Sequence, residues 1–130
     1  MSAREWTVTI PAPGAWLNAN GRRDRRYLVS TIKAWRDAAH VHARAAKLPK
    51  LARVHIVAHL RFTDRRARDV HNYFPTIKAV VDGLVDHGLI PDDRDEHLLG
   101  PDLRTGVPLR RTVFAPVGEV VLTITEATDA

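Results

Sequence analysis

Between Arg53 and Phe62 every second residue is apolar: Val54, Ile56, Ala58, Leu60 and Phe62 fall on one side of an extended chain, with Arg53, His55, Val57, His59 and Arg61 on the other. A two-residue period held over this length predicts a β-strand with one buried face. The period then changes. From Pro75 to His87, Ile77, Val80, Val81, Leu84 and Val85 recur at helical spacing, with Pro75 acceptable in the first turn and Gly88 suited to the C-terminal cap. A one-faced strand followed by an amphipathic helix calls for a sheet covered by helices.

The remaining segments complete that layout. Trp6-Thr7-Val8-Thr9-Ile10 reads as a strand stopped by Pro11-Ala12-Pro13-Gly14. Residues 18–27 lack periodicity and hold Arg22, Arg23, Arg25 and Arg26, which predicts a mobile basic loop. Ser30 is the expected N-cap of a helix over residues 31–47, with Ile32, Trp35, Ala39 and Val41 or His42 near one face. Residues 89–96 form an acidic loop, and His97-Leu98-Leu99 opens a strand that could hairpin through the loop that follows. Val120, Leu122 and Ile124 mark a closing strand. The expected fold is α/β: one domain over residues 1–130, with a mixed sheet of about four strands and two helices in the order β-α-β-α-β-β. Residues 127–130 are expected to be a disordered tail.

Charge is unevenly spread. Residues 1–68 hold 15 Lys/Arg against four Asp/Glu, a balance of +11; residues 69–130 hold five against 11, a balance of −6. That polarity fits either a basic surface tracking phosphates around an acidic cation pocket, or halves that neutralise each other in the fold. The chain has no cysteine, so thiolate zinc sites, cysteine nucleophiles and disulfides are excluded, and a cytoplasmic setting is expected. The first residues lack the apolar stretch of a signal peptide, and no apolar run is long enough to span a bilayer, so no membrane partner is expected. Phosphate-binding glycine loops and a serine-nucleophile elbow are absent, which leaves nucleotide-fuelled chemistry and a nucleotide cofactor without support.

The chemistry-bearing residues concentrate in two places. Arg65-Arg66-Ala67-Arg68-Asp69-Val70-His71-Asn72 joins an arginine run to an aspartate, and Pro91-Asp92-Asp93-Arg94-Asp95-Glu96 follows about twenty residues later. Carboxylate oxygens hold hard cations such as Mg²⁺, and arginines meet the phosphates such cations act on. A strand-to-helix return could bring Asp69 and Asp92/Asp93 to one end of the sheet, where α/β folds bind ligands. Asp92 and Asp93 serve equally well as turn residues after Pro91. Asn72 suits a helix cap near Tyr73, and Lys78 with Asp82 at i, i+4 suits a surface ion pair. His55 and His59 share a strand face about 13 Å apart, too far for one ion.

In order and spacing, the segment Arg65 to Asn72, then Lys78 with Asp82-Gly83-Leu84, then Asp92-Asp93, resembles the RusA-type Holliday junction resolvases. Weaker echoes are Asn18 and Asn20, Trp35-Arg36-Asp37, and the final Leu122-Thr123-Ile124-Thr125 strand. The resemblance implies a homodimeric, Mg²⁺- or Mn²⁺-dependent endonuclease that nicks four-way DNA junctions symmetrically, of phage or prophage origin in a bacterial host. By position it implies metal ligation by Asp69, Asp92 and Asp93, catalysis with Lys78, and support from Asn72 and Asp82. Arg22, Arg23, Arg25, Arg26, Arg65, Arg66 and Arg68 are the expected DNA contacts. His71 stands where the family has a second aspartate, and as a ligand it would favour Mn²⁺ over Mg²⁺. Three extra residues also precede Lys78, almost one helical turn. The rival expectations are a junction-binding protein without catalysis and a basic structural protein of a virus-like element.

Overall fold

The computed structural model describes residues 3–128. Strand β1 (Glu5–Pro11) is followed by helix α1 (Arg25–Ala45), β2 (Val54–Phe62), a 3-10 turn (Val70–Tyr73), helix α2 (Phe74–His87), β3 (Leu98–Thr105) and β4 (Gly118–Glu126). The four strands form one mixed sheet in the order β1-β4-β2-β3, a small α/β domain with two helices. β4 is antiparallel to both β1 and β2, whereas β2 and β3 run parallel, joined by the crossover through α2.

The alternation read from the sequence is the alternation of burial. Val54, Ile56, Ala58 and Leu60 are fully buried, alongside Ile10, Val120, Leu122 and Ile124 from the neighbouring strands. Trp35 and Ala39 of α1 and Ile77, Val80 and Leu84 of α2 join the same core. The helices meet at Gly83: a Cβ there would stand 2.7 Å from the Ala39 Cβ and closer still to the Arg36 carbonyl. Only a residue without a side chain admits so close an approach.

Two fixings locate α2. Thr76, fully buried, donates its hydroxyl to the Leu17 carbonyl and accepts from the Leu17 N–H, both at 2.8 Å. Around that point Trp16 packs against Trp35, Phe62 and Tyr73, with ring centroids 4.7–6.0 Å apart. α2 begins with Pro75 in its first turn and ends at Gly88 in the left-handed conformation, as its sequence dictates.

Several expectations are corrected. α1 begins at Arg25, five residues before Ser30, because the Asp24 side chain accepts from the Tyr27 N–H at 2.9 Å and caps it. Ser30 lies inside the helix and donates to the Tyr27 carbonyl. Residues 18–27 are therefore not one loop: Arg25 and Arg26 are helical, and the Ala19 N–H is bound to the Asn72 carbonyl at 2.7 Å. The buried face of α1 is Thr31, Trp35, Ala39 and Ala43, while Ile32 and Val41 face solvent. The close approach at Gly83 selects small residues, which carry little apolar signal. β3 makes no hairpin with β4, since β2 lies between them. Of the expected tail, Ala127 is bound through its N–H to the Arg53 carbonyl; residues 129–130 lie outside those described.

Candidate functional site

β2 ends at Phe62, and the segment beyond it turns on an ion pair. Arg68 donates to both Asp64 carboxylate oxygens at 2.8 and 2.9 Å, and its guanidinium lies 4.0 Å from the centre of the Phe62 ring. The Arg68 side chain is only 12% exposed. The Arg68 bonds, with the Arg66 N–H, hold the Asp64 carboxyl down to about 2. Arg68 is thus engaged internally. Arg65 and Arg66 remain exposed and border a cavity of about 410 Å³, closed on its other side by Thr105, Gly106 and Pro108.

Asp69 opens the 3-10 turn. Its side chain accepts from the His71 N–H at 3.0 Å and lies 3.3 Å from His71 Nδ1; both side chains are exposed. Asn72 caps nothing: α2 has no side-chain cap, and the Asn72 contribution is its carbonyl, bound to Ala19.

Lys78, in the second turn of α2, connects the helix to the acidic turn. Its ammonium donates to Asp82 at 2.7 Å and to Asp93 at 2.6 Å. These bonds, Asp82 first, raise the Lys78 pKa, and the bond from Lys78 lowers that of Asp93. Lys78 is accordingly a fixed cation and Asp93 a fixed anion across the ordinary pH range. They share a cavity of about 240 Å³ with Phe74, Val81, Leu98 and Pro101. Asp92 behaves as the turn residue its sequence allows: it accepts from the Arg94 N–H at 2.9 Å and pairs with the Arg94 guanidinium, which lowers its pKa.

β2 and β3 run parallel; the 3-10 turn that Asp69 opens packs against β3, and Phe74, which follows it, borders the same cavity as Asp93. The structure brings Asp93 to Lys78 and Asp82, and Asp69 to His71. Among the described residues no three His, Asp or Glu side chains converge as a cation site. The donors fit a water-rich hard cation in kind, since Mg²⁺ is commonly held by one or two carboxylates with the rest of its shell from water and phosphate. They do not form a closed cage.

Of the N-terminal arginines, Arg22, Arg23, Arg25 and Arg26 are all exposed, and Arg23 lies over the Tyr27 ring. Sequence reasoning passed over residues 106–117, which hold Arg110 and Arg111 beside exposed Val113 and Phe114. The available signal was compositional: Thr105 to Gly118 contains no acid. No protein-family model and no curated protein sequence matches the chain. No helix among the described residues is long and apolar enough to cross a membrane.

Proposed function

We propose that this chain is a divalent-metal-dependent endonuclease acting on branched DNA, as a homodimer in the cytoplasm of a bacterial host. The observation that carries the reading is the Lys78 ammonium held between Asp82 and Asp93, a cation fixed beside carboxylates on the exposed side of a well-anchored helix. The order of residues from Arg65 to Asp93 supports the same reading. Asp92 and Asp93 offer the carboxylates for Mg²⁺ or Mn²⁺; Asp69 and His71, placed by position in the resemblance, would have to approach them as the ion binds, since among the described residues no three such side chains converge. The ion, when bound, would supply charge neutralisation at the phosphate and a more acidic water.

The chain's own residues do the rest. Lys78, whose bonds to Asp82 and Asp93 favour the charged ammonium, offsets negative charge on the phosphate. Asp82 fixes its direction. Arg65 and Arg66 hold the backbone of the DNA without reading its sequence. A two-fold dimer presents two such sites to opposing strands.

The second reading, a junction-binding protein that does not cleave, is favoured by the pairing of Asp92 with Arg94 and Asp93 with Lys78. One experiment separates them. Purified protein is incubated with a synthetic four-way junction and with linear duplex, in Mg²⁺, Mn²⁺ or chelator. Symmetric metal-dependent nicks in the junction support the first reading, and selective binding without nicks supports the second. Equal affinity for junction and duplex overturns both.

A further inference from the structure

Residues 106–117 connect β3 to β4; apart from Gly106 and Pro108, which border the Arg65/Arg66 cavity, they take no part in the site above. The base of this connection is fixed: the Gly106 N–H donates to the Leu60 carbonyl and the Leu109 N–H to the Phe62 carbonyl, each at 2.8 Å, and Arg61 Nε donates to the Val107 carbonyl at 2.9 Å. Its tip is a tight turn. Thr112 Oγ1 accepts from the Ala115 N–H at 3.0 Å, and Ala115 is buried. Between them Val113 and Phe114 stand 91% and 88% exposed, the two most exposed large apolar side chains described.

Turn tips ordinarily carry Gly, Asn, Asp, Ser or Pro. Two adjacent large apolar side chains left in water contribute nothing to folding and are available to a partner that covers them. The charge around them narrows what that is. Arg110 and Arg111 precede the tip, Arg104 is exposed on β3, and no acid occurs between Thr105 and Gly118. Gly106 and Pro108, at the base, border the same cavity as Arg65 and Arg66. An apolar tip flanked only by cations and continuous with an arginine-lined groove complements a polyanion that also offers flat apolar faces.

We propose that this arm sets Phe114, backed by Val113, against an unstacked nucleobase at the branch point of the DNA, while Arg110 and Arg111 contact the flanking phosphates. The proposal rests on the branched-DNA reading and adds to it the part of the substrate that is recognised. Aromatic rings stack on any base, and apolar wedges enter interrupted base steps, so the arm senses the branch without reading sequence. A second copy of this chain would bring like-charged arginines to the same tip, which opposes that occupant.

The test compares wild type, Phe114→Ala and Phe114→Trp on a four-way junction carrying 2-aminopurine at the branch, on linear duplex, and without DNA by sedimentation. Phe114→Ala is expected to weaken junction binding by about five- to 150-fold, to leave duplex binding unchanged, and to abolish the 2-aminopurine response. Phe114→Trp should retain both affinity and response. Junction affinity and 2-aminopurine signal unchanged in Phe114→Ala, with wild type still selective for the junction, overturn the arm alone. A wild type that does not prefer the junction overturns the branched-DNA reading and the arm with it. A lower oligomeric state of Phe114→Ala without DNA assigns the tip to a protein interface and likewise overturns the proposal.

Discussion

Arg68 and Lys78 stand ten positions apart in one continuous stretch, and each is held by aspartate, but the two clusters differ in what remains available. Arg68 faces inward, makes a two-pronged bond to one carboxylate, and covers the Phe62 ring. Lys78 faces outward and is shared by two carboxylates, with a third, Asp92, beside the second. The first cluster balances charge against charge and withdraws the guanidinium, though not the Asp64 carboxylate, from water. The second holds more negative than positive charge in the open, an arrangement that contributes little to stability and leaves capacity for a cation or a phosphate. A cation paired with aspartate thus supports the fold in one case and a candidate chemistry in the other, and burial of the cation marks the difference.

The sharpest way to break this contrast is Asp93→Asn. If the Lys78 cluster serves chemistry, junction cleavage should fall by about 100-fold or more while stability changes by less than about 0.5 kcal/mol. A large loss of stability in denaturant unfolding with cleavage retained would place the second cluster in the same category as the first.

Next in size is the reverse experiment. Arg68→Ala removes the cover of Phe62 together with the Asp64 pair, and should lower stability by about 1–2 kcal/mol without altering the salt dependence of DNA binding. Arg66→Ala should do the opposite: unchanged stability, and a slope of log affinity against log salt smaller by about one. Equal effects of the two substitutions on the salt slope would show that Arg68 turns out to meet phosphate.

The smallest effect is in acid. Asp64 titrates at about 2 in the folded chain and near the usual carboxylate value, about 3.9, in the unfolded one. A depressed folded value contributes stability above the unfolded value and loses it as pH falls towards the folded one. Wild type should therefore lose stability between about pH 4 and about pH 2 more steeply than Asp64→Asn, as read from denaturant midpoints. Parallel curves would remove the Asp64–Arg68 pair from the acid response.

The sequence carried those features whose signal is periodic or local. The alternation of β2 and the Pro75-to-Gly88 span of α2 are properties of neighbouring residues, and the structure reproduces them. Lys78 with Asp82 was readable for the same reason, being one helical turn apart. The cap at Asp24 was hidden because that aspartate sits within an arginine run resembling a loop. On α1, Trp35 and Ala39 were legible, but Thr31 and Ala43 were missed in favour of Ile32 and Val41, because a helix packed as closely as Ala39 on Gly83 buries small residues that carry little apolar signal. Asp93 reaching Lys78 depends on the whole path of the chain from Gly88 to Leu98. Spacing alone does not contain that, and only the resemblance pointed to it. The exposed tip at Val113 and Phe114 has no periodicity at all.

The two-way bond between Thr76 and Leu17 has an observable consequence. The Leu17 amide proton is sealed by a hydroxyl on α2, so it can exchange with solvent only when the start of that helix separates from the segment after β1. Its deuterium uptake is therefore a local measure of how often the first turns of α2, which carry Lys78, leave their anchor. A nucleic acid or cation that tightens the helix should slow this one proton even where the overall melting temperature does not change.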